Sequence, residues 1–324
     1  MDLRERRRFV VAAATALLAV PRVGFPQQGP KVWRVGYLQG TPYLDAFTEG
    51  MRELGYEVGR NLVIVESRLG GDSYDRLPAL AADLVNRNLD VIVVTSTPAA
   101  AALKRATSTV PVVMAIVGDP VKSGFVSSLA RPGGNFTGLS LANPDVALKW
   151  FELARTLAPR SQIGVLADSN QPTAPWYVQN IERAAQGLGV RVPVAYAPTG
   201  DDIESALDSL AKQGIAAIVV LPSTMFENHA ARMAQIAVER RIALIASARS
   251  WAERGSLLSY GQNYAAFARR AATYVDKILK GAKPSELPVE QPMILELTIN
   301  LTTARRLGLT ISQELLLRAD KLFE

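Results

Sequence analysis

Val91-Ile-Val-Val-Thr-Ser-Thr97 runs from four consecutive apolar residues into three hydroxyl side chains and then Pro98. A short apolar run that ends at a capping residue and a proline reads as a buried strand feeding a helix. The pattern returns at Ala217-Ile-Val-Val-Leu-Pro-Ser-Thr224, which opens a second helix. The segments leading up to these runs match too. Arg34-Val-Gly-Tyr-Leu38 precedes a loop, a helical stretch and Leu54-Gly55, and Gln162-Ile-Gly-Val-Leu166 precedes a loop, a helix and Leu188-Gly189. The chain therefore carries two matched α/β halves, each built as a parallel sheet with helices on both faces, and a cleft between two such lobes is a natural binding site for a small molecule.

With 324 residues and 48% hydrophobic content, the chain can bury cores for two domains. It has no cysteine and one histidine, His229, which lies in a predicted helix and is read as a surface or packing residue. Thiol nucleophiles, disulfides and the usual zinc-ligand sets are thereby excluded. The net charge of +6 suggests nucleic acid only until the amino terminus is set aside. Residues 1–26 hold five arginines against Asp2 and Glu5, half of the whole excess, and the rest is scattered. No basic patch for nucleic acid remains.

That amino terminus reads as an address. Arg4-Glu-Arg-Arg-Arg-Phe9 is a basic stretch and Val10 to Val20 an apolar run, followed by Pro21. This is the plan of a signal peptide over residues 1–26, and the run is too short to span a bilayer. Arg6-Arg-Arg-Phe-Val10 also resembles a twin-arginine signal, so either that route or the general secretory route fits. No cysteine follows for lipid attachment. The expected location is the periplasm.

The predicted strands of the first half are Val32–Leu38, Leu62–Glu66, Val91–Val94, Val112–Ile116 and Phe136–Leu139, separated by helices at Asp45–Leu54, Tyr74–Asn86 and Pro98–Ala106. In the second half, strands are predicted at Ile163–Ala167, Val190–Tyr196, Ala217–Leu221, Ile242–Ala246, Leu257–Tyr260 and Ile294–Ile299. The helices there are Asp145–Leu157, Trp176–Leu188, Ile203–Gln213, Met225–Glu239 and Ala265–Leu279, with another from Leu301. Crossings between the lobes are placed near Ser140–Pro144, Tyr260–Asn263 and Leu287–Gln291, giving a multi-strand hinge. Lobe 1 then takes residues 32–140 and 264–286, and lobe 2 residues 141–263 and 287–324.

In parallel sheets the ligand lies beyond the carboxyl ends of the strands, where helices present free N–H groups. This rule selects Gly40, Thr41, Ser96, Thr97, Pro98, Gly118 and Asp119 from the first lobe, and Asn170, Ser223 and Thr224 from the second, with Ser140 and Asn263 at the crossings. Ser96-Thr97-Pro98 suits a ligand carboxylate on a helix amino terminus, or is an ordinary N-cap. Asp119 receives a ligand ammonium or caps the next turn. Tyr43, Trp176 and Tyr260 stack on a ligand ring or pack in the fold.

Enzyme templates are missing. There is no Gly-x-Ser-x-Gly elbow, no Gly-Lys-Ser/Thr phosphate loop and no His-Glu-x-x-His, and the helical carboxylates such as Asp75 and Glu152 read as solvated faces. The expectation is a protein without catalytic residues, metal or cofactor. An α/β hydrolase or isomerase working through Asp119 or Asp168, and a ligand-sensing module for a membrane receptor, are the alternatives.

Gly118-Asp-Pro-Val121, Leu129-Ala-Arg-Pro-Gly-Gly-Asn-Phe-Thr-Gly138, Tyr260-Gly-Gln-Asn263, Pro288-Val-Glu-Gln-Pro292, Ile299-Asn-Leu-Thr-Thr-Ala304 and Leu307-Gly-Leu309 occur in this order. Together they resemble the ABC-transporter substrate-binding proteins of the tryptophan/tyrosine type, over residues 32 to 322. The resemblance implies a type I periplasmic-binding-protein architecture: two Rossmann-like lobes closing on a solute, favoured here as an aromatic amino acid or related small carboxylate. It implies delivery to an ABC permease by a monomeric, non-catalytic receptor. Thr97-Pro98 and Gly118-Asp119 match ligand-contact regions of that family. Ser223-Thr224 stands where its members often carry an acidic residue just upstream, and this chain has Pro222 there.

Overall fold

The computed structural model describes residues 31–38, 43–69, 74–141, 146–158 and 162–324. The predicted signal peptide, Gly40 and Thr41 lie outside the described residues, as do residues 142–144 of the first predicted crossing.

Trp33–Leu38 (β1), Leu62–Ser67 (β2), Val91–Val94 (β3), Val112–Val117 (β4) and Phe136–Ser140 (β5) form one sheet in the order β2-β1-β3-β4-β5, parallel throughout. Strands β3, β4 and β5 are buried along their whole length because both faces are covered. One face is packed by Leu44–Glu53 (α1), and the other by Leu77–Val85 (α2) and Thr97–Ala106 (α3).

The second sheet repeats the plan. Gln162–Ala167 (β6), Val194–Tyr196 (β7), Ile215–Val220 (β8), Ala243–Ala248 (β9) and Leu258–Gln262 (β10) follow the order β10-β9-β8-β6-β7, which is the order of the first sheet read in reverse. Glu296–Asn300 (β11) joins antiparallel to β10, and Lys321–Phe323 (β12) closes that edge. The helices of this half are Val146–Leu157 (α4), Ala174–Gly187 (α5), Asp202–Lys212 (α6), Thr224–Glu239 (α7) and Arg249–Glu253 (α8). In each half the strand order reverses between the first strand and the third (β1 and β3, β6 and β8). That is the switch point where helices leave to opposite faces and a crevice opens.

The carboxyl-terminal part crosses back. Helix Tyr264–Leu279 (α9) leaves β10 and packs on α1 and β4 of the first half. The backbone then runs beside β5, with Glu290 N–H donating to Gly138 O at 2.9 Å and Ser140 N–H to Glu290 O at 2.9 Å. It returns to the second sheet as β11, continuing into Leu301–Leu307 (α10) and Gln313–Leu317 (α11).

Two expectations are corrected at the level of elements. The helix predicted over Tyr74–Asn86 begins as a 3-10 turn at Tyr74–Arg76 before α2. The strand predicted from Val190 pairs only over Val194–Tyr196, because Pro193 has no N–H to give to a ladder. Helices α8 and α11 and strand β12 were unforeseen, being too short to show a period.

Candidate ligand-binding site

The carboxyl ends of the two sheets face each other across a partly open cavity. Its wall is built from both switch points. Tyr43 stands at the start of α1 after β1, and Thr95, Ser96 and Thr97 link β3 to α3. Gln171 and Thr173 lie between β6 and α5, and Pro222, Ser223 and Thr224 link β8 to α7. Ile116, Gly118 and Leu141 close one side, and Tyr177, Glu227 and Tyr264 reach in from helices.

The two halves present the same device here. Ser96 Oγ accepts from Ala99 N–H at 3.3 Å and Ser223 Oγ from Phe226 N–H at 3.3 Å, so each serine caps its helix. Both helix amino termini are aimed at the cavity, and their dipoles favour a negatively charged ligand group. Thr97 Oγ1 accepts from Gly118 N–H at 2.9 Å and fixes the turn after β4. Tyr43 and Tyr264 meet edge-on, with centroids 5.9 Å apart, forming an aromatic wall.

Glu227 supplies a carboxylate at the cavity wall, only 8% exposed. Trp251 Nε1 donates to it at 2.5 Å, Ser250 Oγ at 3.2 Å and Tyr43 OH at 3.4 Å, while Arg254 lies 3.5 Å away. Burial pushes its pKa up, and these donors and the guanidinium pull back. Burial likewise raises the Tyr43 and Tyr264 hydroxyls well above the ordinary phenol range, so both are neutral donors. Behind the wall, Asp168 is 1% exposed and its carboxyl is raised by burial. It accepts from Ser223 Oγ at 2.7 Å, Asn170 N–H at 2.8 Å and Tyr74 OH at 3.0 Å.

Among the residues predicted for the site, Tyr43, Ser96, Thr97, Gly118, Ser223 and Thr224 line the cavity. Others point elsewhere. Pro98 is buried in the first turn of α3, and Ser140 is held in the β5 ladder beside Glu290. Asp119 turns its carboxylate onto the N–H groups of Val121 and Lys122 at 3.1 and 3.0 Å, the capping alternative. Asn170 is exposed, its amide donating to Pro198 O. Asn263 caps α9 and holds Glu296. Tyr260 packs within the second sheet, where its carbonyl receives Trp150 Nε1. Trp176 lies outside the wall, under the ammonium of Lys122 at 5.3 Å, and so bridges the two halves.

Tyr177, Glu227 and Tyr264 were missed because each sits within a helix rather than in a loop. Glu227 did leave a signal: it shares the buried face of α7 with Ala230 and Ala234, a charge on an otherwise apolar stripe.

Against this geometry, the comparisons with known proteins converge. Residues 42–323 match the model of the ABC transporter substrate binding protein family. A curated "Tyrosine-binding protein" of Clostridioides difficile is 28% identical over 265 residues, 81% of this chain and 75% of the relative. A Streptococcus pneumoniae ABC domain solved in complex with L-Trp superposes with a TM-score of 0.81 at 28% identity, covering 90% of this chain and all of that one. The ligand-free, open structure of a Clostridium difficile substrate binding protein with adhesive properties gives 0.62 at 25% identity, covering 90% and 99%. The higher score with the ligand-bound protein than with the open one accords with halves drawn together. The fold is that of type I periplasmic binding proteins, and the chain belongs to the ABC transporter substrate binding protein family.

Proposed function

We propose that the protein is an exported, monomeric receptor that captures an aromatic amino acid or a related small carboxylate between its halves. It passes the solute unaltered to an ABC permease in the membrane, and the signal peptide is removed on the way to the periplasm. The observation that carries this reading is the cavity itself, where two capped helix starts meet a wall of Tyr43, Tyr177 and Tyr264. The helix starts suit a carboxylate and the phenols suit a ring. Glu227, just beyond the position of Pro222, offers a carboxylate for a ligand ammonium. Relatives that bind tyrosine and L-Trp support the substrate class. Neither carboxylate named for the hydrolase or isomerase alternative faces the solute, since Asp119 is occupied in its turn and Asp168 lies behind Ser223 and Tyr74.

A thermal-shift panel of L-tryptophan, L-tyrosine, L-phenylalanine and aromatic carboxylates tests the proposal. At a thousandfold excess over Kd, a ligand that binds only the folded state stabilises it by about 4 kcal/mol. A clear rise in Tm with at least one member is expected, and mass spectrometry after incubation should recover that solute intact. A panel without any shift, or a consumed solute, would overturn the reading.

A further inference from the structure

We propose that Tyr74 and Asp168 form a latch that sets solute affinity from outside the cavity, by holding the two halves together. Tyr74 belongs to the first half, in the turn that leads into α2, which packs against α3 and β1. Its hydroxyl enters a polar socket on the second half. There it donates to Asp168 Oδ2 at 3.0 Å, receives Gln171 Nε2 at 3.3 Å and lies 3.4 Å from Ser223 Oγ. Ser223 is itself the residue that caps α7. The phenol oxygen therefore stands at a helix amino terminus with a carboxylate beside it.

The socket is assembled without Tyr74. Asp168 keeps Ser223 Oγ and Asn170 N–H, and Ser223 still caps α7, whether or not the first half is close. Separating the halves therefore strips Tyr74 of these partners without dismantling the second half. A hydrogen bond to a charged group is among the stronger ones. Neither Tyr74 nor Asp168 lines the cavity, so this contribution does not depend on which solute is bound. It acts on the open–closed equilibrium, and affinity scales with the fraction of closed protein.

Two measurements on Tyr74→Phe decide the matter. The first rests on the proposed function and uses L-tryptophan as the probe in stopped-flow fluorescence. Dissociation should quicken about tenfold or more with the association rate little changed. Asp168→Asn should act in the same direction, and the double variant should lose no more than the larger single one. The second needs no solute. Because the chain has no cysteine, Arg105→Cys and Arg183→Cys, one exposed position in each half, can carry a spin-label pair. Pulsed distance measurements on the ligand-free protein should show less of the short separation in Tyr74→Phe than in the parent. Identical distance distributions, or an unchanged dissociation rate, would overturn the latch. If L-tryptophan and its relatives fail to bind the parent protein, the substrate proposal falls and the distance measurement still judges the latch.

Discussion

Gly118→Val is expected to weaken solute binding roughly ten- to hundredfold while costing the ligand-free protein much less stability than that. A Cβ on Gly118 would lie 2.7 Å from Thr173 Cγ2 and 3.2 Å from Thr97 Oγ1. Thr97 belongs to the same half as Gly118, but Thr173 stands at the start of α5 on the other. The crowding with Thr173 exists only when the halves are together. Most of an overpacking cost of about 1–3 kcal/mol would thus fall on the closed state, and each 1.4 kcal/mol is tenfold in affinity. Calorimetric titration with the solute identified by thermal shift, beside the Tm of ligand-free protein, measures both quantities. Gly134→Ala is the control, since an added Cβ there meets nothing within 4 Å. An unaltered Kd for Gly118→Val would show that the halves do not approach as described.

Gly261→Ala should be the more damaging change to the fold. The added Cβ would lie 1.6 Å from Ser247 O and 2.6 Å from Ser247 C, both backbone atoms of the neighbouring strand β9. No rotamer relieves such a clash. The pairing of β9 with β10 is already irregular between Ser259 and Gln262, where the two strands draw close. A loss of about 4 kcal/mol or more is expected, at the extreme of single-residue effects. Thermal unfolding should show a fall in Tm of roughly 2–4 °C for each kcal/mol, or no folded protein at all. Gly187→Ala, at the end of α5 with open space around it, should instead hold or gain stability. Equal Tm values for the two variants would refute the close-approach account.

These glycines show how far the sequence could be read. Tyr260-Gly-Gln-Asn263 pointed to a family, and the structure gives its residues structural work: Gly261 lets two strands approach and Asn263 caps α9. The strands were legible because a parallel sheet covered on both faces demands unbroken apolar runs, as in Val91–Val94 and Val112–Val117. The loops after β3 and β8 were legible because their capping serines precede the helices directly. What the sequence could not show is the direction in which a polar side chain turns. Asp119 and Asp168 both follow strands; one folds back on its own turn and the other is sealed behind Ser223. Tyr177, Glu227 and Tyr264 reach the cavity through tertiary packing of helices, and helical periodicity alone does not say which buried residue borders a void.

The return of α9 to the first half and of β11 to the second has a bearing on biogenesis. Neither half is a contiguous stretch of chain: the first lacks a roof over α1 and β4 until Tyr264–Leu279 has been made, and the second lacks its edge strands until the last residues arrive. A nascent or truncated polypeptide therefore has no complete hemisphere to offer, and maturation of both compartments is interlocked and late.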